Sequence, residues 1–206
     1  SRFVRQGAGL LDELSFERAH LLGGCMGCPP VTAFGVAHPE RVLSMTLFWP
    51  VGGAKYRINC HLRFARHLSF VEANGMPGVV DLVHSHDLNF SQDPRGGPWG
   101  NVIRIDDKFA TQYAGSDPVV YKNTVSAMCR GLFDRDTAPG AEAEELLALD
   151  RPSMIVPGDD EAHATSAARY LHECLAGSEF VDIAVKQQSE DNIPSRVLEF
   201  LDGVGE

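Results

Sequence analysis

The sequence has no apolar run near the roughly 18 to 20 residues that a membrane-spanning helix needs. Its first residues, Ser1-Arg2-Phe3-Val4-Arg5, contain no apolar signal core. No bilayer span is expected, and the expected location is cytoplasmic. Positive charge is also scarce: 18 Lys and Arg stand against 28 Asp and Glu, a formal net charge of −10, and no basic stripe occurs. Nucleic-acid binding draws its affinity from clustered Lys and Arg, so a nucleic-acid partner is not expected. The five cysteines, at 25, 28, 60, 129 and 174, are odd in number and scattered, which argues for reduced thiols over a secreted disulfide framework. Internal repeats, low-complexity tracts and coiled-coil heptads are absent as well.

What remains is a chain of 206 residues with 44% hydrophobic content, enough to bury one substantial core and a small subdomain. Leu10, Leu11 and Leu14 at helical spacing predict an amphipathic helix over 2–14. The order that follows is strand (19–22), tight glycine turn (23–27), helix (to 37) and a second buried strand (41–49) closed by Pro50 and Gly52-Gly53. Two strands joined through a helix imply a right-handed crossover and a parallel sheet. Between 56 and 149 the pattern changes to helices broken by Gly and Pro, with helices expected at 56–74, 77–86, 101–114, 119–133 and 141–149. The sheet signal returns as a strand at 153–157, a helix at 162–175, a strand at 179–185 and a last helix at 194–201, with Pro194 suited to the first helical position. The expected fold is a parallel α/β core (1–55 and 150–206) interrupted by an all-helical insertion (56–149).

Gly23-Gly24-Cys25-Met26-Gly27 fits the small-x-nucleophile-x-small turn between a strand and a helix, with Cys in the nucleophile's place. So sharp a turn is expected to exclude side chains at Gly23 and Gly27 and to hold Cys25 in a strained backbone conformation above the sheet. A helix N-terminus directly behind it favours negative charge on the sulfur, and the backbone N–H of Met26 is the candidate oxyanion donor.

The flanks carry a resemblance. Leu10-Leu11-Asp12-Glu13-Leu14, Phe16-Glu17-Arg18-Ala19-His20-Leu21-Leu22-Gly23 and Ala37-His38-Pro39-Glu40-Arg41-Val42 resemble the helix, strand, elbow, helix and next strand of the α/β-hydrolase fold superfamily. Arg151-Pro152-Ser153-Met154-Ile155-Val156-Pro157-Gly158-Asp159-Asp160 is similar to that family's strand ending in G-x-D, which carries the triad acid, and Ile193-Pro194-Ser195-Arg196-Val197-Leu198-Glu199-Phe200-Leu201 is similar to its closing helix. The chain thus resembles the C-terminal two-thirds of such an enzyme, with the helical middle where the family carries its variable cap. The resemblance implies Cys25 as nucleophile and Asp160 as acid. It also implies a His a few residues after the last strand, and the stretch 186–192 contains none. His163, three residues after Asp160, is the candidate for a displaced base, with a structural role as its alternative. The family's earlier strands and the loop carrying its second oxyanion donor have no counterpart here. The strand at 19–22 would then be a bare apolar edge, for which a preceding segment, a partner chain or self-association is the expected cover.

Other residues carry two readings each. Cys25 and Cys28 form C-x-x-C, either a redox pair or a nucleophile beside a small packed residue. Cys60, Cys129 and Cys174 are expected as buried spacers. His84 and His86, with Asp87, are a metal cluster or a solvated helix end, and no metal or cofactor is expected. His61, His67, Arg63 and Arg66 on one expected helix either recognise an anionic substrate or form a solvated face. Phe48 and Trp49 are pocket wall or core, and Asp159 is placed to push the Asp160 carboxyl up unless it points to solvent. Two functions stay open: hydrolysis or acyl transfer on a small ester, thioester or lactone, or a catalytically degenerate binding protein of the same fold.

Overall fold

The computed structural model describes residues 2–205. Four parallel strands form one sheet in the order β1 (Ala19–Gly24), β2 (Val42–Phe48), β3 (Ser153–Val156), β4 (Glu179–Phe180). Gly24 pairs with Phe48, Phe48 with Val156, and Ile155 with Phe180, so the carboxyl ends of the first three strands finish side by side. β2 and β3 are buried along nearly their whole length, as expected of parallel strands covered on both faces. β1 pairs only with β2 among the described residues.

The chain divides into two units, one running to Tyr56 and resuming at Arg135, the other Arg57–Asp134. The sequence boundary expected at 149 lies earlier, at 134, because Ala138, Ala141, Leu146 and Leu149 pack into the same core as Met45, Leu47 and Ile155. In the first unit α1 (Arg2–Glu13) and α2 (Cys28–Ala37) flank β1, and Pro29 and Pro30 fall in the first turn of α2, where N–H groups have no helical partner.

The second unit is all helical. α3 (Ala54–Ser85) begins in the first unit and breaks at Gly75, whose φ of 70° matches the two helices expected there. The single helix expected over 101–114 is two, α4 (Gly100–Ile105) and α5 (Asp107–Ala114). The Asp106 side chain accepts the Phe109 N–H and starts the second of them. α6 (Pro118–Leu132) is capped likewise by Asp117. Val71, Val79, Val83, Ile103 and Tyr113 form this unit's own core.

Back in the first unit, α7 (Ala143–Leu147) precedes β3 and α8 (Thr165–Cys174) follows it. Two expectations here were too long. The strand expected over 179–185 is only Glu179–Phe180, because β3 ends at Val156 and the next residue, Pro157, has no N–H to continue the ladder. The helix expected from 162 starts at Thr165, because the Asp160 carboxylate takes the N–H groups of Ala162 and His163 and holds them in a turn. The final helix, α9 (Asn192–Val204), starts two residues before Pro194, which still falls in the first turn.

Candidate active site

β1 runs straight into the turn at Cys25, and the cysteine has φ 55°, a left-handed conformation that L-residues seldom adopt. Gly23 is needed beneath it: a Cβ there would lie 2.5 Å from the Gly27 carbonyl oxygen and 2.9 Å from Val31. Gly27 differs from expectation. Its own Cβ would meet nothing within 4 Å, so the crowding at the turn is one-sided. Cys25 is exposed, and Met26 follows it in the first helical turn, where N–H groups lack helical partners. The Met26 sulfur lies 3.2 Å from the Tyr56 hydroxyl, which donates to it. No sequence signal marked Tyr56.

His163 comes to the turn from the far side of β2. Its Nε2 lies 3.2 Å from the Cys25 sulfur, and its Nδ1 lies 2.9 Å from each Asp160 carboxylate oxygen. The base-to-acid link is local, three residues apart, whereas the sulfur-to-base contact spans 138 residues. Burial pushes the Asp160 carboxyl up. The hydrogen bond from the His163 ring, those from the backbone N–H groups of Ala162 and His163, and the charge of His163 outweigh that push and hold it below the usual carboxylate value. The upward shift expected from Asp159 is therefore not found; Asp159 is exposed.

Backbone from another segment fixes the turn that carries His163. The Gly52 N–H donates to the Ala162 carbonyl at 3.0 Å and its carbonyl accepts from Ala164 at 3.3 Å, a parallel bridge across His163. Gly52 and Gly53 have φ of 151° and 100°. A Cβ on Gly53 would sit 2.5 Å from that of Ala164, and one on Gly158 would sit 2.7 Å from that of His163. The Thr165 hydroxyl closes the turn onto the Gly158 carbonyl at 2.7 Å.

The remaining candidates lie elsewhere. Cys28 is buried, with its thiol directed at the carbonyls of Gly23 (3.1 Å) and Phe48 (3.6 Å). Burial first, then the nearby Cys25 sulfur, push it up to about 12, so it stays a neutral packed thiol. Cys60, Cys129 and Cys174 are buried, as expected. His67 is neither a substrate ligand nor part of a solvated face. It is fully buried, with Nδ1 2.9 Å from the Arg95 carbonyl and Nε2 2.8 Å from the Tyr121 hydroxyl, a placement the helical spacing did not reveal. His61 lies 2.8 Å from the Phe133 carbonyl. His84 Nε2 lies 3.2 Å from the Ile103 carbonyl, and His86 Nε2 lies 3.2 Å from the Asp93 carboxylate. No group of three or more His, Cys, Asp or Glu side chains suited to a metal ion occurs among the described residues. No helix among them is long and apolar enough to cross a membrane.

A parallel sheet with a left-handed residue on the strand-to-helix turn after β1 is the arrangement that the resemblance implied, and solved structures of the α/β-hydrolase fold superpose along almost the whole chain. A 2-hydroxy-6-oxo-6-phenylhexa-2,4-dienoate hydrolase from Rhodococcus sp. strain RHA1 has a TM-score of 0.55 at 19% identity, covering 97% of this chain and 69% of that one. The carboxylesterase CesB from Bacillus subtilis also has a TM-score of 0.55 at 19% identity, covering 98% and 66%. The chain has the α/β-hydrolase fold. By sequence it is 25% identical to a 2-hydroxy-6-oxo-6-phenylhexa-2,4-dienoate hydrolase of Comamonas testosteroni over 197 residues, 86% of this chain. A 39-residue stretch is 49% identical to a 2-hydroxy-6-oxononadienedioate/2-hydroxy-6-oxononatrienedioate hydrolase of Cupriavidus pinatubonensis, covering 19% of this chain and 14% of that one. The chain spans 65% of the length of the Comamonas relative. No family model matches the sequence.

Proposed function

We propose that this chain carries a Cys–His–Asp site for hydrolysis or acyl transfer on a small ester, thioester or lactone. The observation that carries the proposal is the His163 ring, which reaches the Cys25 sulfur with one nitrogen and the Asp160 carboxylate with the other. A nucleophile needs a proton acceptor within hydrogen-bond reach, and that acceptor needs a group fixing its tautomer. Both conditions are met with the base displaced from the place the resemblance implied.

In this reading His163 takes the Cys25 thiol proton as the sulfur attacks the acyl carbon. The carbonyl π electrons move to oxygen, and the Met26 N–H donates to that oxyanion. Collapse expels the alkoxide or thiolate, which takes the proton back from His163 and leaves an acyl-Cys25 thioester. Water, or an acceptor alcohol or thiol, then gives its proton to His163 and attacks the thioester. Collapse of that adduct expels the Cys25 sulfur, which takes the proton back from His163, and the product leaves as the acid with water, an ester with an alcohol or a thioester with a thiol. Asp160 stays ionised and orients the ring. A thioester intermediate passes readily to an acceptor thiol, which favours transfer wherever such an acceptor binds. The relatives' hydrolase names are consistent with this class of chemistry.

The test pairs iodoacetamide labelling, mass-mapped over all five cysteines, with turnover of p-nitrophenyl acetate. Cys25 should label first, the other four being buried. Cys25→Ala should abolish turnover, and His163→Ala should lower it by about 10²- to 10⁴-fold while slowing Cys25 labelling. Labelling of Cys25 that ignores the loss of His163, with no turnover, would replace this reading with a degenerate binding protein.

A further inference from the structure

Gln188 lies in the stretch 186–192, where the resemblance implied a base and the sequence has no His, and the structure uses both ends of its amide. Its Oε1 accepts from the Trp49 indole N–H at 2.8 Å, and its Nε2 donates to the carbonyls of Pro157 (2.9 Å) and Ile183 (3.2 Å). Trp49 is the first residue beyond β2 and has φ 48°, a strained conformation for a bulky side chain. Its backbone N–H donates to the Val156 carbonyl at 2.8 Å.

The indole stacks on Phe48, with ring centres 5.6 Å apart and planes 6° apart, and meets the His163 ring at 5.6 Å and 51°. A Cβ on Gly158 would lie 3.3 Å from Trp49 and 2.7 Å from His163, so both side chains close over the same bare backbone. On another side the indole borders a cavity of about 440 Å³, lined also by Phe48, Val185, Gln188, Ile193 and Pro194. That side of the ring faces open space, and the hydrogen bond to Gln188 ties the indole there.

We infer that Trp49 is a positioning residue for His163, fixing the imidazole against Cys25, and that Gln188 acts on the site by holding Trp49. The inference rests on the Cys25–His163 pair being the reactive one. It gives a residue of the stretch 186–192, where the base was expected, a part in orienting His163.

The experiment follows iodoacetamide labelling of Cys25 across pH in the full chain. The proteins are the parent, Trp49→Phe, Gln188→Leu, the double variant and His163→Ala, each with a thermal melt. Losing one orienting hydrogen bond should slow labelling near neutral pH about fivefold in either single variant and displace its pH profile in the same direction. The double variant should be no slower than the slower single, since two residues acting through one contact do not add. Trp49→Phe leaves the Gln188 amide and its carbonyl partners in place and carries the test alone if Gln188→Leu does not fold. Parent-rate labelling in Trp49→Phe, with His163→Ala slow, would overturn this inference and leave the Cys–His reading standing. Multiplying effects in the double variant would overturn the link through Gln188. No effect of His163→Ala would remove the underlying reading, and this inference with it.

Discussion

A methyl group on Gly23 would lie 2.5 Å from a backbone oxygen, whereas one on Gly27 would meet nothing within 4 Å. Gly27 has φ −77° and ψ −19°, ordinary helical values. Gly23→Ala should therefore destabilise the protein by about 1 to 3 kcal/mol, as overpacking does. Gly27→Ala should be neutral or stabilise by up to about 1 kcal/mol, by lowering the entropy of the unfolded chain. Urea melts of the two variants check this, and equal losses would contradict the one-sided packing. The elbow string was legible in the sequence as a turn with a nucleophile, but it reads symmetrically and the geometry is not symmetric. His163 was legible only as a candidate three residues past Asp160. Its reach to Cys25, like that of Gln188 to Trp49, depends on segments more than a hundred positions apart, which no local pattern encodes.

At the scale of elements, the turn between β3 and α8 owes its shape to the Asp160 side chain within it and to one other segment, the Gly52-Gly53 backbone beside it. The strands and helices that deliver them were largely legible, because buried apolar runs and glycine breaks are local signals. The boundaries moved where a side chain outcompeted the helix, as at Asp106 and Asp160, or where Pro157 ended a ladder. Gly53→Ala would add a methyl 2.5 Å from that of Ala164 at φ 100°, next to the residue that reaches Cys25. Gly177, just beyond α8, has φ 69° and nothing within 4 Å. Both alanine variants should lose about 1 to 2 kcal/mol from the left-handed backbone, but only Gly53→Ala should slow Cys25 labelling. Equal labelling in the two, measured beside their melting temperatures, would show that the glycine strap does not position His163.

Over the whole molecule, the groups displaced from their ordinary values confine stability to a pH window. Burial first, against the Arg95 carbonyl bond, holds His67 below its usual value, so the fold prefers it neutral. That preference is fully present above the unfolded value of about 6.5 and is lost as pH falls below it, because the unfolded chain takes up a proton that the folded chain refuses. Asp93, held down chiefly by its hydrogen bonds from Arg95, and the half-exposed Asp160 add losses only below about 4, where their unfolded forms protonate. On the alkaline side Cys28, at about 12, and Cys174, raised by burial, stay neutral in the fold while unfolded thiols ionise near 8.5, so stability falls again above that value. Urea midpoints should therefore be highest between about 6.5 and 8.5. His67→Gln should start lower but lose less between pH 7.5 and pH 5, since its amide has no proton to gain. A variant whose midpoint falls as steeply as the parent's over that interval would assign the acid limb to groups other than His67.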